Sequence, residues 1–79
     1  MKMEIIILGF GQITDIIGKS ELKLNGVSST EELNKKLAEI FPLLASMEYA
    51  IAINHKLIHT NTKLNNKDVV ALLPPFSGG

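Results

Sequence analysis

Seventy-nine residues make one domain and leave no room for a second. A hydrophobic fraction of 46% is enough for one small core without staples, and the absence of cysteine excludes disulfides, thiolate metal sites and thiol nucleophiles. Eight basic and eight acidic residues cancel and are interspersed along the chain, which leaves no electrostatic footprint for nucleic acid or an anionic membrane surface. No oxidising compartment is indicated, so a cytoplasmic location is expected. Glu4 interrupts the opening apolar run and no small-residue cleavage site follows, which argues against a signal peptide, and no stretch is long enough to span a bilayer.

Residues 2–8 are isoleucine-rich and too few for an ordinary helix, which predicts a strand buried on both faces inside a sheet. Gly9, Gly11 and Gly18 bracket Ile13, Ile16 and Ile17 at helical spacing, predicting a short helix over 12–17. Residues 21–24 alternate polar and apolar before Asn25-Gly26, the pattern of an edge strand and a turn. Ser29-Thr30-Glu31-Glu32 is a capping-box signature, with Ser29 accepting from the amide three residues on and Glu32 reaching back. The helix it starts has Leu33, Leu37, Ile40 and Phe41 on one face and ends near Phe41, because Pro42 disfavours helical geometry before it.

Residues 43–48 carry no regular pattern. A third strand is expected over 49–53, then a tight turn into a short strand over 54–58, a polar turn region over 61–67, and a last strand over 68–73. Pro74 and Pro75 have no amide hydrogen, so the sheet should stop at Leu73. This order of elements predicts an α+β fold of the β-grasp type, a mixed sheet packed on one main helix, with a domain over 1–73 and an extended tail over 74–79.

Most catalytic constellations fail on inspection. His55 and His59 lie across a turn and strand with no third ligand beside them, so they read as surface or turn residues rather than metal ligands. Gly9, Gly11 and Gly18 match neither the dinucleotide nor the nucleotide glycine spacing. The serines have no histidine and acid in a nucleophile setting. What remains is the ending, Pro74-Pro75-Phe76-Ser77-Gly78-Gly79, in which two prolines favour an extended segment and two glycines make a thread thin enough for a narrow active site. The carboxylate of Gly79 would be ionised and a poor electrophile until a partner activates it, for example as an acyl-adenylate; a frayed chain end is the plainer alternative.

The run Asp68-Val69-Val70-Ala71-Leu72-Leu73-Pro74-Pro75-Phe76-Ser77-Gly78-Gly79 resembles the C-terminus of the small, sulfur-carrying subunit of molybdopterin synthase, a ubiquitin-like family. Support comes from the segment Phe10 through Gly18, and from Ala52-Ile53-Asn54 followed by Leu57-Ile58. The resemblance departs where the family commonly has an arginine before an acid, since Thr14 precedes Asp15 here. It implies a carrier without catalytic side chains of its own and without a bound cofactor. An ATP-using adenylyltransferase akin to the ubiquitin-activating enzymes would adenylate Gly79. A sulfur donor protein would convert it to a thiocarboxylate, and the synthase large subunit, in a heterotetramer, would pass the sulfur to cyclic pyranopterin monophosphate. It also implies that Gly78 and Ser77 enter the partner with Gly79, and that Phe76, Leu73, Leu57 and Phe10 contact it. Core packing is the alternative for Leu57 and Leu73, because a strand alternates faces. Other functions open to the same sequence are sulfur carriage for thiazole synthesis in the thiamin pathway, protein modification through Gly79, and a plain interaction domain with an inert tail.

Overall fold

A computed structural model of the chain describes residues 3–74. The expected positions of Lys2, and of Pro75, Phe76, Ser77, Gly78 and Gly79 in the tail, lie outside the described residues. Eight elements follow in order: β1 (Glu4–Gly9), α1 (Gln12–Ile17), β2 (Glu21–Asn25), α2 (Thr30–Ile40), α3 (Pro42–Ala45), β3 (Ala50–Ile53), β4 (Lys56–Ile58) and β5 (Val69–Leu73). The strands form one mixed sheet in the order β2-β1-β5-β3-β4, in which only β1 and β5 run parallel. This is the β-grasp arrangement the sequence predicts, with β2 at an edge as expected.

The helices share one face of the sheet. Ile5, Ile7, Val70, Leu72, Ile51 and Leu24 point towards them and join Ile13, Leu33, Leu37, Leu44 and Leu64 in one core. Each fully buried leucine or isoleucine contributes roughly 1.5–3 kcal/mol relative to exposure. Gly9 ends β1 on this inner face because α1 lies directly over it: a Cβ there would meet Ile13 Cγ2 and Ile17 Cδ1 at 3.3 Å.

The Ser29 cap forms as expected, its hydroxyl accepting from the Glu32 amide at 3.2 Å. The return contact differs. The Glu32 carboxylate accepts from the amide and hydroxyl of Ser28, both at 2.8 Å, and so reaches one residue further back than a capping box. Asn61 ties the same helix start from the other side, its Oδ1 accepting from the Glu31 amide at 2.9 Å.

Three other expectations need correction. β1 lies inside the sheet, but Ile6 and Leu8 are only half-buried. Hydrogen-bonded neighbours flank it on both sides, yet among the described residues helices cover only one of its faces. Ile40 is 46% exposed rather than core, because α2 ends there and the buried contacts pass to Phe41 and Leu44. Finally, the segment read as irregular contains α3, with Pro42 at its first turn, where the missing amide hydrogen costs nothing.

The polar region 61–67 is anchored by Leu64, 1% exposed, whose amide donates to the Ser28 carbonyl at 2.8 Å. The hairpin turn forms as predicted, with Asn54 (φ 50°) and His55 (φ 74°) both left-handed, as a two-residue β-turn of the primed kind requires. Asp68 precedes β5 and is buried. Its carboxylate accepts from Asn54 Nδ2 at 3.0 Å and the Asn65 amide at 2.7 Å, while Asn54 Oδ1 accepts from the Val69 amide. These bonds join the hairpin turn to the start of the last strand and satisfy a carboxylate that would otherwise be costly to bury.

Candidate functional site

The pleat that sends Ile5, Ile7, Val70 and Leu72 inward sends their neighbours to the opposite face. Strand register places those neighbours in rows. Leu8 pairs with Ala71, Ala71 with Ala52, and Ala52 with Leu57, while Ile6 pairs with Val69 and Leu73 with Ala50. An apolar surface therefore runs from β1 across β5 and β3 to Leu57 on the far edge. Among the described residues no helix covers it. At the other edge β2 contributes Glu21 and Lys23, and Glu4 pairs with Lys67 at 3.3 Å. That border is charged and resists edge-to-edge pairing.

The two residues whose burial the sequence leaves open are now placed. Leu57 is 53% exposed at the rim of this surface, and Leu73 is half-buried on it. A half-exposed apolar face rimmed by charge is the form of a protein-binding surface. Sequence reasoning missed Ile6, Leu8 and Ala71, because an unbroken apolar run gives no sign of which face helices will cover.

Parallel pairing of β1 and β5 brings both strands to an end side by side, Gly9 against Leu72. Consequently Phe10 and Pro74 emerge at the same end of the molecule, and Phe10 is 46% exposed there. Between them Gly11 adopts φ 55°, and a Cβ at this position would lie 3.1 Å from Pro74 Cγ. Both the backbone conformation and the proximity of Pro74 call for glycine. Thr14 also braces this end, its hydroxyl donating to the Gly9 carbonyl at 2.9 Å. The residue that departs from the family's arginine thus has a structural bond of its own. The expected tail residues Phe76, Ser77, Gly78 and Gly79 lie outside the described residues.

Elsewhere the chemistry is structural. An open groove of about 370 Å³ beside α2 is lined by Thr30, Asn34, Tyr49, His59 and Asn61 among others. Several of its polar groups are engaged: the Tyr49 hydroxyl donates to Asn34 at 3.0 Å and Asn61 Oδ1 accepts from the start of α2. Burial pushes the Tyr49 hydroxyl above the usual phenol range. Among the described residues no group of three or more histidine or acidic side chains converges as a metal site, and no helix is long and apolar enough to cross a membrane.

Comparison with known proteins gives these features a family. The chain is 31% identical, over the full length of both proteins, to a molybdopterin synthase sulfur carrier subunit of Dictyostelium discoideum. Solved structures share its fold. A Pyrococcus furiosus protein provisionally described as molybdopterin converting factor, subunit 1, superposes with a TM-score of 0.86 at 15% identity, covering 92% of this chain and 98% of its own. The small archaeal modifier protein 1 of Methanosarcina acetivorans superposes with a TM-score of 0.82 at 23% identity, covering 100% of this chain and 99% of its own. A model of the ThiS family matches residues 7–79, and the chain belongs to that family.

Proposed function

We propose that this protein is the sulfur-carrier subunit of a molybdopterin synthase, and that its reacting group is the carboxylate of Gly79. The observation that carries the reading is the reach of the similarity. The family match runs through Gly79, and the Dictyostelium sulfur carrier aligns from end to end. In this reading an ATP-dependent activating enzyme joins the Gly79 carboxylate to AMP, with loss of pyrophosphate. The resulting mixed anhydride is an electrophile that the free carboxylate is not. Sulfide-level sulfur from a donor displaces AMP, leaving a thiocarboxylate, and in the synthase large subunit that sulfur bonds to cyclic pyranopterin monophosphate. Water then hydrolyses the acyl–sulfur bond at Gly79, which leaves the sulfur on the pterin and returns the carboxylate for another cycle.

The fold suits this division of labour. The apolar sheet face and Phe10 offer a docking surface next to the point where the tail leaves, so that binding energy from the domain can position a reacting group that lies outside it. The partner supplies the nucleotide, and the carrier retains no cofactor.

Intact mass tests the reading directly. The chain is incubated with ATP, the activating enzyme of the molybdenum-cofactor route and a sulfur donor, and the C-terminal peptide is examined for exchange of one oxygen for sulfur. Exchange at Gly79 is expected. An unchanged mass, with a known carrier charged in the same tube, overturns the assignment. Charging by the thiamin-route enzyme alone would instead assign the protein to thiazole synthesis, and an isopeptide bond from Gly79 to a lysine of another protein would identify it as a modifier.

A further inference from the structure

Asparagine occupies positions 25, 34, 54, 61, 65 and 66, and the structure sets one of these apart. Four are engaged through the side-chain oxygen. Asn34 Oδ1 accepts from the Tyr49 hydroxyl, Asn54 Oδ1 from the Val69 amide, Asn61 Oδ1 from the Glu31 amide and Asn66 Oδ1 from the Glu4 amide. The other two are held through their main chain, Asn25 by its carbonyl, which accepts from Lys36 Nζ at 3.1 Å, and Asn65 by its amide, which donates to Asp68. Asn65 is followed by Asn66, whereas Asn25 is followed by Gly26.

That difference is chemical. The side-chain carbonyl carbon of an asparagine can be attacked by the main-chain nitrogen of the next residue, which closes a five-membered ring. A side chain on that next residue crowds the attack, and glycine has none. Asn25 and Gly26 are both exposed at the end of β2. A Cβ built on Gly26 would meet no atom within 4 Å, so water reaches the reacting groups freely.

One bond opposes the reaction. The Gly26 amide donates to the Met3 carbonyl at 3.1 Å, and it must lose its proton before it can attack. This bond lies just beyond the Glu4–Asn25 pair, where the register of β1 with β2 ends. It therefore breaks when the end of the ladder opens, which takes far less free energy than global unfolding.

We propose that Asn25 is a modification site, where the chain converts its own side-chain amide to a carboxylate by hydrolysis, gated by opening of the Gly26–Met3 bond. The deprotonated Gly26 nitrogen bonds to Asn25 Cγ. The Cγ–Nδ2 bond then breaks and ammonia leaves, taking a proton from solvent, so that a succinimide remains. Water opens this ring at either carbonyl. Cleavage between the Gly26 nitrogen and Cγ gives aspartate, and cleavage between that nitrogen and the main-chain carbonyl carbon gives isoaspartate. The sum is an amide and water giving a carboxylate and ammonium, with no oxidant or cofactor.

Position sets the consequence. Residue 25 stands opposite Glu4, so either product faces one carboxylate with another, and like charges opposed across a strand pair are unfavourable. Isoaspartate also adds a carbon to the main chain at the end of β2. Glu4 and Gly9 mark opposite ends of β1, so the site is remote from Phe10 and Pro74, and the proposal does not depend on the sulfur-carrier reading.

The test is a timed incubation of the full chain at neutral and at mildly alkaline pH, folded and in enough urea to unfold it. Intact mass and peptide mapping follow the exchange of an amide for a carboxylate, and methylation by an S-adenosylmethionine-dependent isoaspartyl methyltransferase counts the isoaspartate. Conversion should map to residue 25 ahead of every other asparagine, as a mixture of the two products, and should accelerate with hydroxide. Urea should speed it on the order of tenfold, the protection expected of a strand end. Asn25→Gln should abolish the change at this position, because glutamine would have to close a larger ring. Should that variant fail to fold, the peptide map of the unaltered chain decides alone. Persistence of the Asn25 amide while Asn65 converts would overturn the proposal. So would protection of about a thousandfold or more in the folded chain, which would tie the reaction to global unfolding. Equal rates with and without urea would remove the Gly26–Met3 bond as the gate.

Discussion

On β1, Ile5 and Ile7 are fully sealed, whereas Ile6 and Leu8, each one residue away, are only half-buried. On β5 the same contrast separates Val70 and Leu72 from Val69, Ala71 and Leu73. Both faces of these strands are apolar, so hydrophobicity does not distinguish them. What does is the placement of three helices on one side. The covered face stabilises the fold, and among the described residues no helix covers the other.

The sharpest way to break this comparison is to truncate a leucine on the covered side. Leu37 on α2 is fully buried. Leu37→Ala should lower unfolding free energy by about 2–5 kcal/mol, through lost transfer energy and the cavity left behind. Urea denaturation measures it. A loss below about 1 kcal/mol would mean that the core is not where the burial pattern puts it.

Much of that pattern is legible in the sequence. The order of the strands and of the first two helices, the Ser29 cap, the hairpin within 54–58 and the end of the sheet at Leu73 all follow from local signals, because each is set by a few neighbouring residues. The limits were equally physical. Ile6 and Leu8 could not be told from Ile5 and Ile7, since coverage is decided by helices distant in sequence. α3 was missed because four residues are too short to show a period, and Ile40 because periodicity does not say where a helix stops being covered. Of the candidate site, Leu57, Leu73 and Phe10 were named from resemblance. The register that unites Leu57 and Leu73 with Leu8 and Ala71 required the structure.

A smaller effect is expected where the covered side meets the hairpin turn. Asp68 accepts from two donors, Asn54 Nδ2 and the Asn65 amide. In Asp68→Asn one of them must face the new side-chain amide, donor against donor. Stability should fall by about 1–3 kcal/mol in the same urea experiment, and partner binding by the uncovered face should be retained once the folded fraction is allowed for. No loss would mean that the carboxylate is not needed to hold the start of β5.

Smaller again is the cap of α2. Ser29→Ala should cost about 1 kcal/mol by removing the acceptor for the Glu32 amide. The adjoining Glu32 carboxyl is held below the usual carboxylate range, chiefly by the Ser28 amide and then by the Ser28 hydroxyl. A depressed folded-state pKa gives a contribution that is present above the unfolded carboxylate range and is lost as pH falls through the folded value. Glu32→Gln should therefore flatten part of the acid limb of the stability curve, and an unchanged limb would remove Glu32 from the cap.

The smallest effect on stability should come from a leucine on the other face, where the comparison with Leu37 is most direct. Leu57 is 53% exposed, on a three-residue edge strand opposite Ala52. Leu57→Asp leaves no cavity and buries no unpaired charge in the free protein, so its unfolding free energy should shift by no more than about 0.5 kcal/mol. In a complex the same carboxylate would be driven against an apolar partner surface, where desolvation is costly. Affinity for the synthase large subunit, measured by titration calorimetry, should fall on the order of tenfold or more. Two leucines would then have traded roles across one sheet, one holding the fold and the other holding the partner. An unchanged affinity would remove Leu57 from the docking surface and shift attention to Phe10 at the tail exit, whereas a large loss of stability would show that the uncovered face also contributes to the core.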